Sequence, residues 1–151
     1  MSYLIIVHVL SAVLGLGPAY AFPFILRQTT SVDEMARSLG LVARLELFPK
    51  LFGTLAVLSG IALVWLGSYG SFLQIWILGT LIVYAVLEIV IIGFLNPAAK
   101  SLQARLSDPA NASADPLPSP IAGQYARVRY LHSVVGVVSI AIFVLMILKP
   151  H

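Results

Sequence analysis

The sequence predicts an all-α integral membrane protein, a four-helix bundle that runs up-down-up-down. Hydrophobic residues make up 60% of the chain, charged residues make up 10%, and the mean hydropathy is +0.99. Four apolar stretches, at about residues 3–26, 50–67, 72–95 and 130–148, have about the 20 residues that a helix needs to cross a bilayer. Because the bilayer core has no water for backbone groups and the stretches lack strand alternation, we expect helices. Residues 1–151 form one transmembrane domain.

The basic residues predict the orientation of the bundle. Eight of the nine lysines and arginines lie in or beside the first and third connections: Arg27, Arg37, Arg44, Lys50, Lys100, Arg105, Arg127 and Arg129. The positive-inside rule therefore predicts that both long connections are cytoplasmic and that both termini lie outside. We expect a multi-pass protein of the cell membrane, with the lipid bilayer and anionic lipid headgroups as partners. Nucleic-acid binding is not implied.

The two long connections differ in predicted structure. In the first, Ser31 and Glu34 have the spacing of a capping box, which predicts a short interfacial helix that ends near Leu45. Pro49 marks the junction with the second span, either as a kink or as a first-turn residue. The third connection begins at Asn96-Pro97 and becomes rich in Pro, Ala and Ser. We expect a mobile loop at about residues 108–120.

Small residues predict where the helices approach each other. Helices in lipid associate by close packing, so glycines on one face indicate a contact surface. The predicted packing glycines are Gly15 in the first span, Gly53 and Gly60 in the second, and Gly136 in the fourth.

Glu88 is the acidic residue deepest in an apolar span. A carboxylate there costs about 2.5–3.5 kcal/mol on insertion scales unless it is protonated, paired or in contact with water. Counting from the predicted membrane boundary places Glu88 and His132 at similar depth in the cytoplasmic half. The sequence therefore predicts a contact between them, with Tyr84 or Arg27 as the alternative partner of Glu88. Such a pair would be either a structural hydrogen bond or a protonatable site.

His8 is predicted to lie near the outer face, far in depth from His132. Two histidines that ligate one haem iron need ring nitrogens about 4 Å apart, with iron–nitrogen bonds near 2 Å. His8 and His132 are therefore not expected to share an iron. A haem at His8 would need another second ligand or an open position. The alternative interpretation is that His8 is a hydrogen-bonded packing residue.

Three short motifs resemble small bacterial four-helix membrane proteins. They are His8 to Gly15 (HVLSAVLG), Leu47 to Phe52 (LFPKLF) and Arg127 to Ser133 (RVRYLHS). The chain resembles the group around the copper-resistance CopD and protoporphyrinogen-oxidase HemJ families, together with related membrane families of unknown function. The resemblance to HemJ-like proteins implies that His8 is a haem ligand, with haem b as the cofactor. The CopD-like resemblance implies copper import, but the chain has three methionines and no cysteine, so it lacks a path of soft copper ligands.

Three classes of function remain open. The first is a haem-binding or redox-associated membrane protein that uses His8. The second is a small proton-coupled transporter or channel subunit that uses Glu88 and His132 and requires a homo-oligomer, since four helices enclose little volume. The third is a non-catalytic accessory or structural protein. No Ser/His/Asp order, paired carboxylates or zinc-ligand spacing is present, so soluble-enzyme mechanisms are disfavoured and no catalytic or metal-binding residue is named.

Overall fold

The computed structural model describes residues 1–67, 69–112 and 117–150, and this part is helical. The α-helices are α1 (Ser2–Ile25), α2 (Val32–Leu45), α3 (Leu47–Leu66), α4 (Ile75–Val90), α5 (Asn96–Leu106) and α6 (Ser119–Leu148). A π-helical segment, Ile91–Leu95, joins α4 to α5, and Pro109–Asn111 form a 3₁₀ turn. The described chain contains four helical runs long and apolar enough to cross a membrane. The predicted helical class and four spans are therefore confirmed.

The spanning helices contact one another in the order α3, α1, α6, α4. α1 packs against α3 and α6, and α6 also packs against α4. Over the described residues, no extended contact joins α3 to α4, so the four helices of the predicted bundle form an open arrangement. The physical reason is that lipid tails solvate apolar side chains as well as protein does, so a spanning helix is stable with one neighbour. α3 accordingly buries only Ser59 and Leu63.

The most deeply buried apolar side chains lie at one end of the molecule. They belong to the end of α1, α2, α5 and the beginning of α6: Leu26, Met35, Val42, Leu102, Ile121 and Val128, each no more than 2% exposed. This end carries most of the charged residues, as expected of a region in water. Burial of apolar surface stabilises helices in water, at roughly 25 cal/mol per Å², whereas it does not drive association within lipid.

α2 begins with the capping residue that the sequence predicts. The second contact of the predicted capping box, from Glu34 back to Ser31, is formed indirectly. The Ser31 hydroxyl accepts a hydrogen bond from the Glu34 N–H, at 3.4 Å. Glu34 does not reach back to the Ser31 N–H directly. Instead that N–H donates to the Thr29 hydroxyl at 3.1 Å, and the hydroxyl donates to the Glu34 carboxylate at 2.6 Å. Thr29 therefore links the two members of the predicted capping box.

The helices on the third connection are longer than predicted. The helical backbone continues through Asn96-Pro97 to Leu106. The Asn96 N–H donates to the Ile91 carbonyl in π-helical geometry. Pro97 lies in the first turn of α5, where its missing N–H costs little. α6 begins at Ser119, so the predicted fourth span, 130–148, is only its second part. Residues 113–116 of the predicted mobile loop lie outside the described residues. Pro49 lies in the first turn of α3, one of the two predicted positions.

Candidate functional site

His8 lies between α1 and α3, where its ring is held by the backbone of the neighbouring helix. His8 Nδ1 is 2.9 Å from the Ala56 carbonyl oxygen and 3.3 Å from the Ser59 hydroxyl. A carbonyl only accepts, so the Nδ1 nitrogen carries the proton and donates it to Ala56. The Ser59 hydroxyl donates to the Leu55 carbonyl at 2.6 Å. This arrangement selects the tautomer in which His8 Nε2 keeps its lone pair.

Gly60 makes room for the His8 ring. A Cβ atom on Gly60 would lie 2.9 Å from His8 Cε1 and 3.3 Å from Nδ1, closer than carbon atoms in contact normally come. His8 Nε2 has no hydrogen-bond partner among the described residues, and it is not one of the buried unpaired atoms. One ring nitrogen is therefore anchored to α3, while the other is unbonded and reaches the protein surface.

Gly15 and Gly53 lie at a close approach of α1 and α3, about two helical turns from His8. A Cβ atom on Gly15 would lie 2.8 Å from the Gly53 backbone nitrogen and 3.1 Å from the Phe52 carbonyl carbon. A Cβ atom on Gly53 would meet nothing within 4 Å. The two predicted packing glycines thus play different parts: Gly15 must lack a side chain, whereas Gly53 contributes its backbone. A Cβ atom on Gly136 would lie 3.8 Å from Ala19 O, an ordinary contact distance.

His132 packs against α1. Its ring packs edge-on against Phe22, with centroids 5.3 Å apart and planes at 84°. The side chain is 3% exposed, and Nε2 is buried without a hydrogen-bond partner in the described structure. Among the described residues, no hydrogen bond or ion pair joins His132 to Glu88, the partner expected from sequence. Counting residues along the helices estimated their depth, but it did not show that His132 occupies the side of α6 that meets α1.

Glu88 lies in the last turn of α4 and is half-buried. Tyr84 lies four residues earlier on α4, one helical turn from Glu88 and on the same face of the helix. Arg27, the other partner considered from sequence, instead lies 4.0 Å from Glu34. Of the partners considered for Glu88, the structure therefore places Tyr84 beside it and directs Arg27 elsewhere.

Two polar residues have roles that the sequence analysis did not assign. The Tyr20 hydroxyl is buried without a partner in the described structure, and its ring lies against Gly136, 3.9 Å from the position of a Cβ atom there. The Tyr125 hydroxyl donates to the Arg27 carbonyl at 3.0 Å, just beyond the end of α1. In the sequence, the only signals for these two tyrosines were the small residues beside Tyr20 and the position of Tyr125 near the beginning of a helix. Neither signal identifies a partner 98 residues away in the chain.

The helices and their contacts define a polytopic α-helical membrane protein. The chain belongs to the family described as "Predicted integral membrane protein (DUF2269)", whose family model matches residues 2–150. The match extends over nearly the whole chain and supports the membrane class, without specifying the CopD and HemJ relationship. No curated protein and no solved structure matches the chain. Among the residues that the structure describes, no three His, Asp or Glu side chains are grouped so as to hold a metal ion.

Proposed function

We propose that this protein binds haem b in the membrane and that His8 would hold the haem iron through Nε2. The hydrogen bond from His8 Nδ1 to the Ala56 carbonyl, at 2.9 Å, is the observation that carries this proposal. A histidine that ligates a metal almost always donates its other ring N–H to a carbonyl, carboxylate or water, which sets the tautomer and raises the basicity of the ligating nitrogen. His8 has this arrangement through a neighbouring helix.

The surroundings of His8 are compatible with a haem. Nε2 reaches the surface, and Ile5, one turn before His8 on α1, is apolar and exposed. Gly60 leaves the imidazole the space to stand beside α3. A bound haem supplies reversible one-electron chemistry, with a potential that depends on its axial ligands and on solvent access. The chain contributes the orientation of the imidazole and an apolar environment.

His132 would not hold the same haem as His8. The Phe22 ring that contacts His132 lies on α1 roughly 21 Å beyond His8, at 1.5 Å per residue. We propose that His8 would be the iron ligand of this chain, and that any second ligand would come from another copy of the chain in a homo-oligomer. The distribution of basic residues places His8 near the outer face of the cell membrane in this proposal.

A His8→Asn variant separates haem ligation from helix packing. Asn Nδ2 occupies nearly the position of His Nδ1 and can still donate to the Ala56 carbonyl, but asparagine has no counterpart of Nε2. We expect the detergent-solubilised wild-type protein from haem-sufficient cells to show a Soret band and reduced-minus-oxidised peaks. His8→Asn should fold and lose these bands, whereas the control His132→Asn should keep them. The coordination state follows from the high-spin or low-spin form of the spectrum.

Two outcomes would overturn the haem proposal. One is a colourless wild-type protein that takes up no haem on reconstitution, in which case the His8 contact serves only to hold α1 to α3. The other is a His8→Asn spectrum identical to that of the wild type. The proton-coupled alternative depends on Glu88 and His132, and it has less support because no hydrogen bond or ion pair joins these two among the described residues.

A further inference from the structure

The short connection between α3 and α4 joins two helices that do not pack extensively against each other. It runs from Gly67 to Gln74, and residue 68 lies outside the described part of the chain. Because α3 packs on α1 whereas α4 packs on α6, the connection joins the two edge helices of the open arrangement. It does so at the end opposite the charged one. Packing between α3 and α4 therefore does not hold the connection in place.

Tyr69 and Trp76 are positioned by residues of this connection. A Cβ atom on Gly67 would lie 2.6 Å from Tyr69 Cδ2, so the ring uses space that only glycine leaves. Gln74 Oε1 accepts a hydrogen bond from the Trp76 indole N–H at 2.8 Å. Gly70 has a φ of +90°, which glycine adopts readily, and a Cβ atom there would overlap the Gln74 amide. Two glycines and one hydrogen bond thus fix both aromatic side chains.

The ammonium group of Lys149, just beyond α6, lies over both rings. Lys149 Nζ is 5.4 Å from the centroid of the Trp76 ring and 5.8 Å from that of the Tyr69 ring. Both distances are within the range of about 6 Å over which an aromatic face attracts a cation. Lys149 forms none of the ion pairs between described residues. In the described structure, the two rings are therefore the electrostatic partners of this ammonium group.

The backbone of Lys149 has a conformation that is unusual for lysine. Its φ of 45° and ψ of 57° are left-handed, and its N–H donates to the Leu145 carbonyl at 3.0 Å. Helices that end in this way usually have glycine at the left-handed position, because a Cβ atom crowds the backbone there. Glycine would end α6 at a lower cost than lysine. The contacts of the ammonium group with the two rings offset that cost.

We propose that Lys149 is a latch, whose ammonium group fixes the α3–α4 connection to the end of α6 and thereby ties the two edge helices together. The latch depends on the positive charge of one side chain. Cation–π contacts at exposed sites are weak, so the connection exchanges between a latched state and a minor released state. In the released state α3 and α4 are joined by the connection alone. This device does not depend on haem binding at His8.

Exchange of the Trp76 indole N–H with water, measured by NMR on the full chain in detergent micelles, reports release. The chain has two tryptophans, and replacing the exposed Trp65 by Phe assigns the signal. Lys149→Met keeps an unbranched stem without the charge, and we expect roughly tenfold faster exchange, as for the loss of two weak cation–π contacts. Lys149→Arg should keep the wild-type rate, because guanidinium also binds aromatic faces. The matched control Lys100→Met removes an exposed lysine on α5 and should change nothing.

A diffusible cation separates the charge of Lys149 from the packing of its stem. Lys149→Ala removes both and leaves the Tyr69 and Trp76 rings without a cation. We expect methylammonium chloride at high concentration to slow indole exchange in Lys149→Ala towards the wild-type rate. Sodium chloride at the same concentration should not, because it matches the ionic strength without supplying an ammonium group that fits over the rings.

Three results would overturn the latch. Unchanged indole exchange in Lys149→Met would show that other contacts hold the connection. Equal acceleration in Lys149→Met and Lys149→Arg would show that the shape of the side chain matters and its charge does not. If Lys149→Met does not fold, Tyr69→Leu decides, because it removes one ring without altering α6 and should speed exchange roughly threefold. An unchanged rate in Tyr69→Leu would contradict the proposal.

Discussion

The crossing of α1 and α3 makes an asymmetric prediction for Gly15→Ala and Gly53→Ala. A Cβ atom on Gly15 would lie 2.8 Å from the Gly53 nitrogen and 3.2 Å from the Gly53 Cα. These are backbone atoms, so they cannot move aside by a change of rotamer, and the two helices would have to separate. A Cβ atom on Gly53 meets open space. Two glycines from the same contact should therefore respond in opposite directions.

The expected magnitudes follow from two opposing effects. Insertion of a methyl group into a close-packed contact costs about 1–3 kcal/mol. Replacement of glycine by alanine within a helix stabilises the helix by about 1 kcal/mol. Gly15→Ala should therefore lower the free energy of unfolding by about 0–2 kcal/mol, whereas Gly53→Ala should raise it by up to about 1 kcal/mol. The helix-propensity effect cancels in the comparison, which leaves a difference of about 1–3 kcal/mol between the variants.

Unfolding of the purified protein by sodium dodecyl sulfate in mixed micelles, followed by circular dichroism, measures this difference. Wild type and both variants are compared at the same detergent composition, so that the helical content of the unfolded state is the same. Equal stabilities of Gly15→Ala and Gly53→Ala would refute the reasoning, because they would show that the backbone of α3 does not lie against Gly15.

Three further predictions concern single contacts. His132→Leu should be neutral or stabilising in the same unfolding assay, because it removes a buried unpaired nitrogen; a loss above about 2 kcal/mol would mean that His132 has a partner. Gly60→Ala should displace the His8 ring, because the alanine Cβ would lie 2.9 Å from His8 Cε1. The variant should lose more of the Soret band than of its folding stability, and an unchanged haem content would contradict this. Tyr125→Phe should lower the free energy of unfolding by about 0.5–1.5 kcal/mol, because it removes the hydrogen bond to the Arg27 carbonyl. Amide hydrogen exchange near Arg27 should become faster, and unchanged exchange would argue against the bond.

Local sequence signals predicted the elements well. The length and hydropathy of the four apolar stretches correctly indicated spanning helices, because membrane thickness sets the number of residues required. The Ser31 cap was also predictable, since it involves residues three positions apart. The π-helical segment and the helix through Pro97 were not predicted, because asparagine followed by proline usually marks a helix end.

The candidate site was predictable in part. His8 stood out as a histidine in an apolar stretch beside small residues, but its partner Ala56 was not identifiable, since any residue on the facing helix offers a carbonyl. The expected pairing of Glu88 with His132 relied on depth alone. The structure shows that similar depth is insufficient, because His132 packs against Phe22 on α1.

The sequence by itself determined that this chain is a membrane protein with four spanning helices, and it identified which polar residues lie within them. These properties depend on composition and on the 3.6-residue period, which act within each helix. Only the tertiary structure decided that α1 and α6 are central, that Gly15 and Gly53 are not equivalent, and that His8 meets Ala56 while His132 meets Phe22. In lipid, the hydrophobic effect does not select helix partners, so these choices depend on close packing and hydrogen bonds between residues distant in the chain.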